Sequence, residues 1–411
     1  MIGEKAWEYS LWEGLSGPIH LGLLRQERNK LEDMSAMIFS RRLSPWVVAG
    51  LLFFSGIGRA QTPPLPPPAV IKPVVNRDYL PVALNLINEA KKTVDFIQLE
   101  FHYDPTVMRI QEALQAAAAR GVSVRGLLED SVSFNRRSQT YLEKSGIDAV
   151  LDTPEKMTHA KLFIADGEKV LLGSTNLSGN SIDNNNETNV YVEDKRLGAY
   201  FEKYFEALRE DSLAEPKVGA LVLPAIATVV NRQYYPEVSK LLSGAKTRIW
   251  VVMYGTRYYQ GSEVSLVNKL LDALVAARKR GVEVKVLMDW SDYNQTLNAI
   301  NAETKKRLEK DGIDVRYDRA DVTTHAKLVV VDERAVVGSV NWGYDALERR
   351  NEASLIISDT AAVKYYADYF LRLWGESTPG APATAPSPAA PVPVAPAAPG
   401  AAPDIEIDDR G

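Results

Sequence analysis

The sequence predicts an α/β protein with two pseudo-symmetric lobes, each a mostly parallel sheet flanked by helices. Two observations predict this fold. Short apolar runs of strand length alternate with longer segments of helical periodicity, which is typical of parallel sheets with helices outside. The whole series then occurs a second time in the same order, and each series ends in the same polar motif. Two such lobes pack most economically about a pseudo-two-fold axis.

The predicted elements follow the same order in both halves. Each half starts with a helix and an apolar strand, continues with a second helix and strand, and then has a third helix before the repeated motif. The predicted helices are 80–92, 107–120 and 138–145, then 235–244, 264–280 and 303–310. The predicted strands are 94–101 and 122–128, then 248–254 and 282–288.

The repeat is visible in the letters of the sequence. "VVNR" occurs at 74–77 and again at 229–232. "HAKLFIADGEKVLLGSTN" (159–176) returns as "HAKLVVVDERAVVGSVN" (325–341), one residue shorter. Two apolar runs on either side of a short polar turn predict a β-hairpin in each copy. The missing residue aligns with Gly167, so we expect a shorter turn and unchanged strand faces.

Composition excludes several kinds of chemistry. The 411-residue chain has no cysteine, which excludes disulfides, thiolate catalysis and cysteine-ligated zinc or iron–sulfur centres. It has four histidines, too few for a rich imidazole metal site, and two of them lie in the repeated motif. The net charge of -5 gives no whole-molecule attraction to nucleic acid, although it leaves a local basic patch open.

Both ends of the chain differ from the repeated part. Arg41 and Arg42 precede a short apolar run that ends in Gly58-Arg59-Ala60, the order of a secretory signal. We therefore expect an exported protein, periplasmic or secreted, with a retained anchor as the alternative. The Pro- and Ala-rich end predicts a disordered tail. The predicted organisation is 1–60 extension and signal, 61–218 first lobe, 219–376 second lobe, and 377–411 tail.

The repeated motif carries residue types that suit phosphate chemistry. Residues two apart share a strand face, so His159 lies beside Lys161, and His325 beside Lys327. An imidazole can attack or donate a proton while an ammonium holds anionic oxygens. The hairpins bring neutral hydrogen-bonding groups to the same place, and a glutamate that can orient an imidazole stands eleven residues after each asparagine. These residues are Ser174, Asn176 and Glu187, and Ser339, Asn341 and Glu352.

The paired motifs resemble the His-x-Lys-x4-Asp…Gly-Ser-x-Asn signature of the phospholipase D superfamily, also called the HKD motif. The first copy matches it at His159, Lys161 and Asp166, and the second at His325, Lys327 and Asp332. The resemblance covers roughly residues 74–375. It implies two phospholipase D-like lobes with one active site at their interface, so that a monomer is expected to be functional.

The resemblance also implies a mechanism. One histidine attacks phosphorus to give a covalent phosphohistidine, and the other protonates the leaving alcohol. We assign His159 as nucleophile and His325 as acid, with Lys161 and Lys327 neutralising charge and no metal or other cofactor. The superfamily counts Asp166 and Asp332 in the catalytic motif, although their positions at the strand ends favour a structural role.

We expect a hydrolase of the phospholipase D type, a phosphodiesterase that cleaves or transfers phospholipid head groups at a membrane surface. Export, low net charge and aromatic residues in the loops of the second half favour this substrate. A secreted, metal-independent nuclease is the alternative, and a non-catalytic phosphate-binding module a minor one. Three further residues stay open: His102 at a strand end, and Glu129 and Asp289, which either face the cleft or cap helices.

Overall fold

A computed structural model describes residues 69–291 and 293–380. The predicted signal segment and most of the predicted tail lie outside the described residues. In this part of the chain, two seven-stranded sheets take their strands from 70–193 and 226–357 respectively. The predicted two-lobe α/β fold is confirmed.

The strands have equivalent lengths and orders in the two halves. The first sheet contains β1 (Val70–Val75), β2 (Thr93–Gln98), β3 (Ser123–Leu128), β4 (Asp148–Leu151), β5 (Leu162–Ala165), β6 (Lys169–Gly173) and β7 (Thr188–Glu193). The second contains β8 (Ile226–Val230), β9 (Arg248–Met253), β10 (Glu283–Met288), β11 (Asp314–Tyr317), β12 (Lys327–Val331), β13 (Arg334–Gly338) and β14 (Ala353–Ile357).

Both sheets are mixed, so the prediction of mostly parallel sheets is wrong in this respect. The strand orders are β1-β7-β6-β5-β2-β3-β4 and β11-β10-β9-β12-β13-β14-β8. Only β2-β3-β4 and β9-β10-β11 are parallel. Helical crossovers join those strands, whereas the motif hairpin and the strands beyond it pair antiparallel. The motif therefore lies in the antiparallel part of each sheet.

Helices cover the outer faces of the sheets and also lie between them. They are α1 (Tyr79–Glu89), α2 (Pro105–Ala119), α3 (Asn135–Lys144), α4 (Gly179–Asp183), α5 (Lys195–Glu210), α6 (Tyr234–Gly244), α7 (Leu266–Lys279), α8 (Gln295–Glu309), α9 (Tyr344–Glu348) and α10 (Thr360–Glu376). A central core joins the facing sides of the two sheets with α5 and α10, while α1 and α2, and α6 and α7, close separate outer cores. The shared central core makes the two lobes one packed unit.

The hairpin prediction is confirmed in both copies. In the first copy β5 and β6 pair antiparallel around a three-residue turn, and Leu162 lies opposite Leu172. In the second copy the turn is one residue shorter, and Leu328 lies opposite Val337. Both partners stand two residues before the motif serine, so the deletion shortens the turn without changing the strand register.

Candidate active site

The two motifs meet because the segments before them pair across the lobe interface. His159 N–H donates to the carbonyl of Asn351 at 2.8 Å, and Asn351 N–H donates to the carbonyl of Met157 at 2.9 Å. The equivalent link joins Asn186 N–H to the carbonyl of Thr323 at 2.8 Å. These bridges place each histidine beside the residues that precede the other half's glutamate.

Each histidine bonds the glutamate of the other half. Nδ1 of His159 lies 2.9 Å from Oε2 of Glu352, and Nδ1 of His325 lies 3.0 Å from Oε1 of Glu187. All four side chains are buried. We call these four residues the imidazole cluster. A carboxylate on Nδ1 fixes the tautomer and leaves Nε2 as the atom for chemistry.

The lysines and serines of the motif surround this cluster as expected. Lys161 Nζ donates to the carbonyl of His159, and Lys327 Nζ to that of His325, each at 2.8 Å. The hydroxyl of Ser174 donates to Oε2 of Glu187 at 2.5 Å, and Ser339 donates to Glu352 in the same way. Asn176 and Asn341, two residues further on, are also buried.

Glu187 is held in its charged form despite complete burial. Burial alone raises its pKa, but the charge and hydrogen bond of His325, the charge of Lys327 and the hydroxyl of Ser174 outweigh it. The pKa of Glu187 therefore lies below its ordinary value. An ionised glutamate favours an imidazole with a proton on Nδ1, as general acid–base work requires.

The glycine of each motif is required by close packing of strands. A Cβ on Gly173 would lie 2.4 Å from the carbonyl oxygen of Thr188, and one on Gly338 2.4 Å from that of Ala353. These carbonyls follow the two glutamates by one residue. The glycines thus let the serine strand approach the glutamate strand closely enough for the serine–glutamate bonds.

Two asparagines in the repeated "VVNR" segment were missed as site residues. Asn76 and Asn231 have left-handed backbones, with φ of 52° and 48°. Their side-chain oxygens accept from the backbone N–H of Glu187 and Glu352 respectively, each at 2.8 Å. These two asparagines hold the backbone of both glutamates in place. The exact repeat of an asparagine in both halves was the available signal.

Glu129 and Asp289 hold the residue before each histidine. Oε2 of Glu129 accepts from the N–H of Thr158, and Oδ1 of Asp289 accepts from the N–H of Thr324 at 2.7 Å. The carboxylates cap no helix. Because each bonded amide is one residue before a histidine, the two carboxylates help to hold the imidazole cluster in place.

Each of these acids lies next to a second acid that sequence reasoning missed, half-buried in the first half and buried in the second. Asp152 accompanies Glu129, and burial followed by that carboxylate raises the pKa of Asp152 to about 8. Asp318 accompanies Asp289, where burial raises the pKa of Asp289 to about 7 and that of Asp318 well above its ordinary value. Two carboxyls in one buried place favour a shared proton. Asp152 and Asp318 each stand seven residues before a histidine, a repeated spacing that was available as a signal.

Asp166 and Asp332, grouped with the catalytic residues by the resemblance, do not join the imidazole cluster. The carboxylate of Asp166 accepts from the N–H groups of Lys91, Lys92 and Thr93. Asp332 accepts from the N–H groups of residues 246–248. They lie at the far strand end, five residues or roughly 16 Å from the motif lysines. Their contribution is to fix the hairpin turn to the start of the neighbouring strand.

The other open residues have distinct places. His102 Nε2 lies 3.2 Å from Glu100 and its ring packs on Phe134, so it belongs to a local cluster. Tyr254, one of the aromatic residues of the second half, is fully buried with its ring 4.8 Å from the His325 ring. Tyr293 remains 51% exposed.

The arrangement brings two imidazoles, two ammonium groups and two serine hydroxyls together at the lobe interface. Among residues 69–291 and 293–380, no group of three or more His, Asp or Glu side chains is arranged to hold a metal ion. The metal-independent mechanism stays a prediction.

A family model described as "Cardiolipin synthase, PLD-like domain" matches residues 83–209 and 238–374, one copy in each half. The chain belongs to this phospholipase D-like family. The two matched ranges contain both motifs and both glutamates. The predicted superfamily is confirmed.

Relatives of several kinds share this phospholipase D-like sequence. The mitochondrial cardiolipin hydrolase of Mus musculus is 35% identical over 142 residues, which cover 29% of this chain and 62% of that protein. The probable cardiolipin synthase YwiE of Bacillus subtilis is 31% identical over 325 residues, 70% of this chain and 62% of that protein. The match thus spans less than two thirds of the length of either relative.

Solved structures agree on the phospholipase D-like fold. The phosphatidylserine synthase of Haemophilus influenzae superposes with a TM-score of 0.62 at 12% identity, covering 75% of this chain and 86% of that one.

Within the residues that the structure describes, no helix combines the length and apolarity needed to cross a membrane.

Proposed function

We propose that the protein is a phosphodiesterase that hydrolyses phospholipid head groups through a covalent phosphohistidine, with transfer to an alcohol as the competing outcome. The observation that carries the proposal is the crossed pairing of His159 with Glu352 and His325 with Glu187. In each pairing the carboxylate bonds Nδ1, so Nε2 is the nitrogen assigned to the phosphate, and one site would hold both an attacking and a proton-donating imidazole.

In the first step, Nε2 of His159 attacks phosphorus and the bond from phosphorus to the leaving oxygen breaks. His325 gives its Nε2 proton to that oxygen, so an alcohol departs rather than an alkoxide. Glu352 stabilises the positive charge that His159 gains, and the lysine ammoniums balance the charge on the phosphoryl oxygens.

In the second step, His325 takes a proton from water, and the water oxygen attacks phosphorus. The P–N bond to His159 breaks, which restores the free imidazole and releases a phosphomonoester. A primary alcohol in place of water gives transfer. Both steps need His325 to change protonation state, and Glu187 supports each state.

The names of the relatives favour lipid as the substrate. Two relatives are named for cardiolipin, and a structural neighbour for phosphatidylserine. His325 is buried with the ring of Tyr254 packed against it, which suits the water-poor site that such chemistry favours.

In the test, purified protein in the presence of EDTA is incubated with phosphatidylcholine and a primary alcohol. In parallel, it is incubated with single- and double-stranded DNA. We expect phosphatidic acid and phosphatidyl-alcohol from the wild type and neither product from His159→Ala. Glu206→Gln, at an exposed ion pair with Arg125, is the control and should retain activity.

Cut DNA without lipid product would replace this proposal by a nuclease. If neither substrate reacts and His159→Ala changes no phosphate-ester binding or turnover, the enzyme proposal fails. Dependence of the activity on an added metal would contradict the proposed mechanism.

We also propose export through the predicted signal. Cleavage after Ala60 would leave Gln61 as the first residue. Amino-terminal sequencing of protein from the native host checks this, and an intact start at Met1 or Met34 contradicts it.

A further inference from the structure

The two halves of the candidate active site differ in a side chain next to the motif. Tyr254 immediately follows β9, and Leu99 immediately follows β2. The two positions are equivalent, because the carbonyl of each accepts from a buried asparagine amide. Asn301 donates to Tyr254 at 2.9 Å, and Asn135 donates to Leu99 at 2.7 Å. A tyrosine in the second lobe therefore stands where the first lobe has a leucine.

The ring of Tyr254 contacts two groups of the second motif that can carry positive charge. The ring is fully buried, and its centre lies 4.8 Å from the centre of the His325 ring, with 68° between the ring planes. Nζ of Lys327 lies over the same ring, 5.0 Å from its centre. Both distances are within the roughly 6 Å at which a tyrosine ring attracts a cation. The equivalent Leu99 has no π electrons and offers no such attraction.

Additional residues in the second half hold this ring in place. Helix α8 has 15 residues, whereas its counterpart α3 has 10. The equivalence of the two amide donors puts the additional length at the amino-terminal end of α8. Leu297 and Ile300 from this end pack on Tyr254, and Nδ2 of Asn294 donates to its hydroxyl at 3.5 Å. The second lobe thus has its own support for an aromatic ring beside His325.

The bonded charges around the two histidines come in equivalent pairs and do not distinguish them. Each imidazole has a glutamate on Nδ1, each motif lysine donates to the carbonyl of its own histidine, and an acidic side chain accepts from the amide before each histidine. Were the surroundings otherwise equal, a single proton would lie on either Nε2. The groups are Glu187, Lys327 and Asp289 for His325, and Glu352, Lys161 and Glu129 for His159.

We propose that Tyr254 assigns this proton to Nε2 of His325 and thereby fixes His325 as the acid and His159 as the nucleophile. The inference rests on the proposed function and deepens it. The π electrons of Tyr254 stabilise an imidazolium at His325, which Leu99 cannot do for His159. Nε2 of the unprotonated His159 then attacks phosphorus, the bond to the leaving oxygen breaks, and the His325 proton goes to that oxygen. Tyr254 is a positioning residue, because it acts through His325.

The protonation of each histidine can be measured directly in the full-length protein. The chain has four histidines, so NMR of ¹⁵N-labelled imidazoles can be assigned with His159→Asn and His325→Asn. In the wild type, His325 should stay protonated to a higher pH than His159. Tyr254→Leu, which installs the residue of the first half, should reduce or remove this difference. Tyr254→Phe retains the ring and should preserve it.

The leaving-group dependence tests the same assignment during turnover. One substrate is dibutyroylphosphatidylcholine, whose choline needs a proton to depart. The other is the same lipid with p-nitrophenol in place of choline, which departs as an anion. In Tyr254→Leu, kcat/KM should fall about three- to thirtyfold for the choline lipid and less than about twofold for the p-nitrophenol lipid, because the variant loses a buried cation–π contact. Tyr254→Phe should stay within about twofold of the wild type on both.

A map of the covalent adduct shows which histidine attacks. Bis(p-nitrophenyl) phosphate has two equal leaving groups, so it can react in either direction without an acid. Protein quenched during turnover should carry the adduct on His159 in the wild type and on both histidines in Tyr254→Leu.

Matched variants separate this effect from a loss of packing. Tyr200→Leu removes a buried ring on α5 that packs edge-on against Phe201, and it should leave the ratio of the two kcat/KM values as in the wild type. Thermal melting identifies any variant that has unfolded. If Tyr254→Leu unfolds, Tyr254→Met replaces it, because methionine fills more of the space without a ring.

Several results would overturn the inference while the proposed function stands. One is an equal loss of kcat/KM on the two lipids. Another is an adduct on His159 alone in Tyr254→Leu, which assigns the direction to other charges, such as that of Arg350 two residues before Glu352. A third is a loss in Tyr254→Phe as large as in Tyr254→Leu, which assigns the effect to the hydroxyl. Wild-type protein that cleaves no diester refutes the proposed function instead, and the titration of the two histidines then still decides the inference.

Discussion

His159 and Glu352 lie 193 residues apart and bond at 2.9 Å, so the first half's imidazole depends on the second half's carboxylate. The reverse pairing of His325 with Glu187 makes the dependence mutual. Neither half therefore carries a complete catalytic pair. A duplicated chain in which each copy supplies the other's orienting carboxylate must keep the two lobes packed in order to work.

Glu352→Gln should lower kcat about 10²–10⁴-fold with little change in KM, because the amide cannot stabilise an imidazolium and favours the wrong tautomer. Steady-state kinetics on bis(p-nitrophenyl) phosphate measure this. Glu193→Gln, outside the site, is the control. A wild-type kcat in folded Glu352→Gln would show that the pairing has no catalytic role.

Only one of the two histidine variants should trap a phosphorylated adduct. In His325→Asn, a substrate with a p-nitrophenolate leaving group needs no acid, so His159 becomes phosphorylated. The adduct then accumulates because no base activates water. Mass spectrometry of the quenched protein should find the phosphoryl group on His159, with a burst of p-nitrophenolate. His159→Asn should give neither. The opposite result would reverse the assigned roles.

Asp332→Asn should destabilise the fold by about 1–3 kcal/mol and leave kcat/KM near wild type, because its carboxylate bonds backbone amides at a turn. These hydrogen bonds help hold the pKa of Asp332 at about 2 against the effect of burial. Urea unfolding and kinetics measured on the same preparation check both parts. Asp166→Asn serves as the pseudo-symmetric comparison. A large fall in kcat with unchanged stability would restore the catalytic role that the resemblance implied.

The sequence predicted the local elements that occur in both halves, but it did not identify which residues of one half bond which residues of the other. The hairpin and its shortened turn followed from apolar runs around polar residues, and both were correct. The type of partner for each histidine was predictable, since an imidazole needs a carboxylate. The choice between Glu187 and Glu352 depends on the packing of two lobes, which no local pattern contains.

Nonlocal pairing also explains the error in the sheets. Alternating helices and strands predicted parallel strands correctly for β2–β4, but β1 pairs with β7 more than a hundred residues later. Asp152 and Asp318 were missed for another reason. Acidic side chains are rarely buried, so a lone aspartate in sequence favours an exposed position unless a neighbouring acid shares its proton.

These paired acids make stability depend on pH in a defined direction. The pKa of Asp152 rises from 3.8 to about 8, so the native state holds a proton that the unfolded chain releases above about pH 4. The stabilisation is complete below that pH and is lost as pH rises through about 8. The pair at Asp289, with a pKa of about 7, adds a loss in the same direction.

Asp152→Asn and Asp318→Asn should therefore flatten the decline in stability between about pH 5 and 8, because an amide reproduces the neutral acid and releases no proton. Urea unfolding at intervals across this range measures the slope, with Asp368→Asn, at a 58% exposed side chain on α10, as control. Since Glu129 and Asp289 hold the residues before the histidines, kcat of the wild type should fall over the same alkaline range, and the fall should shift in both variants. A stability slope unchanged by either substitution would contradict the shared proton.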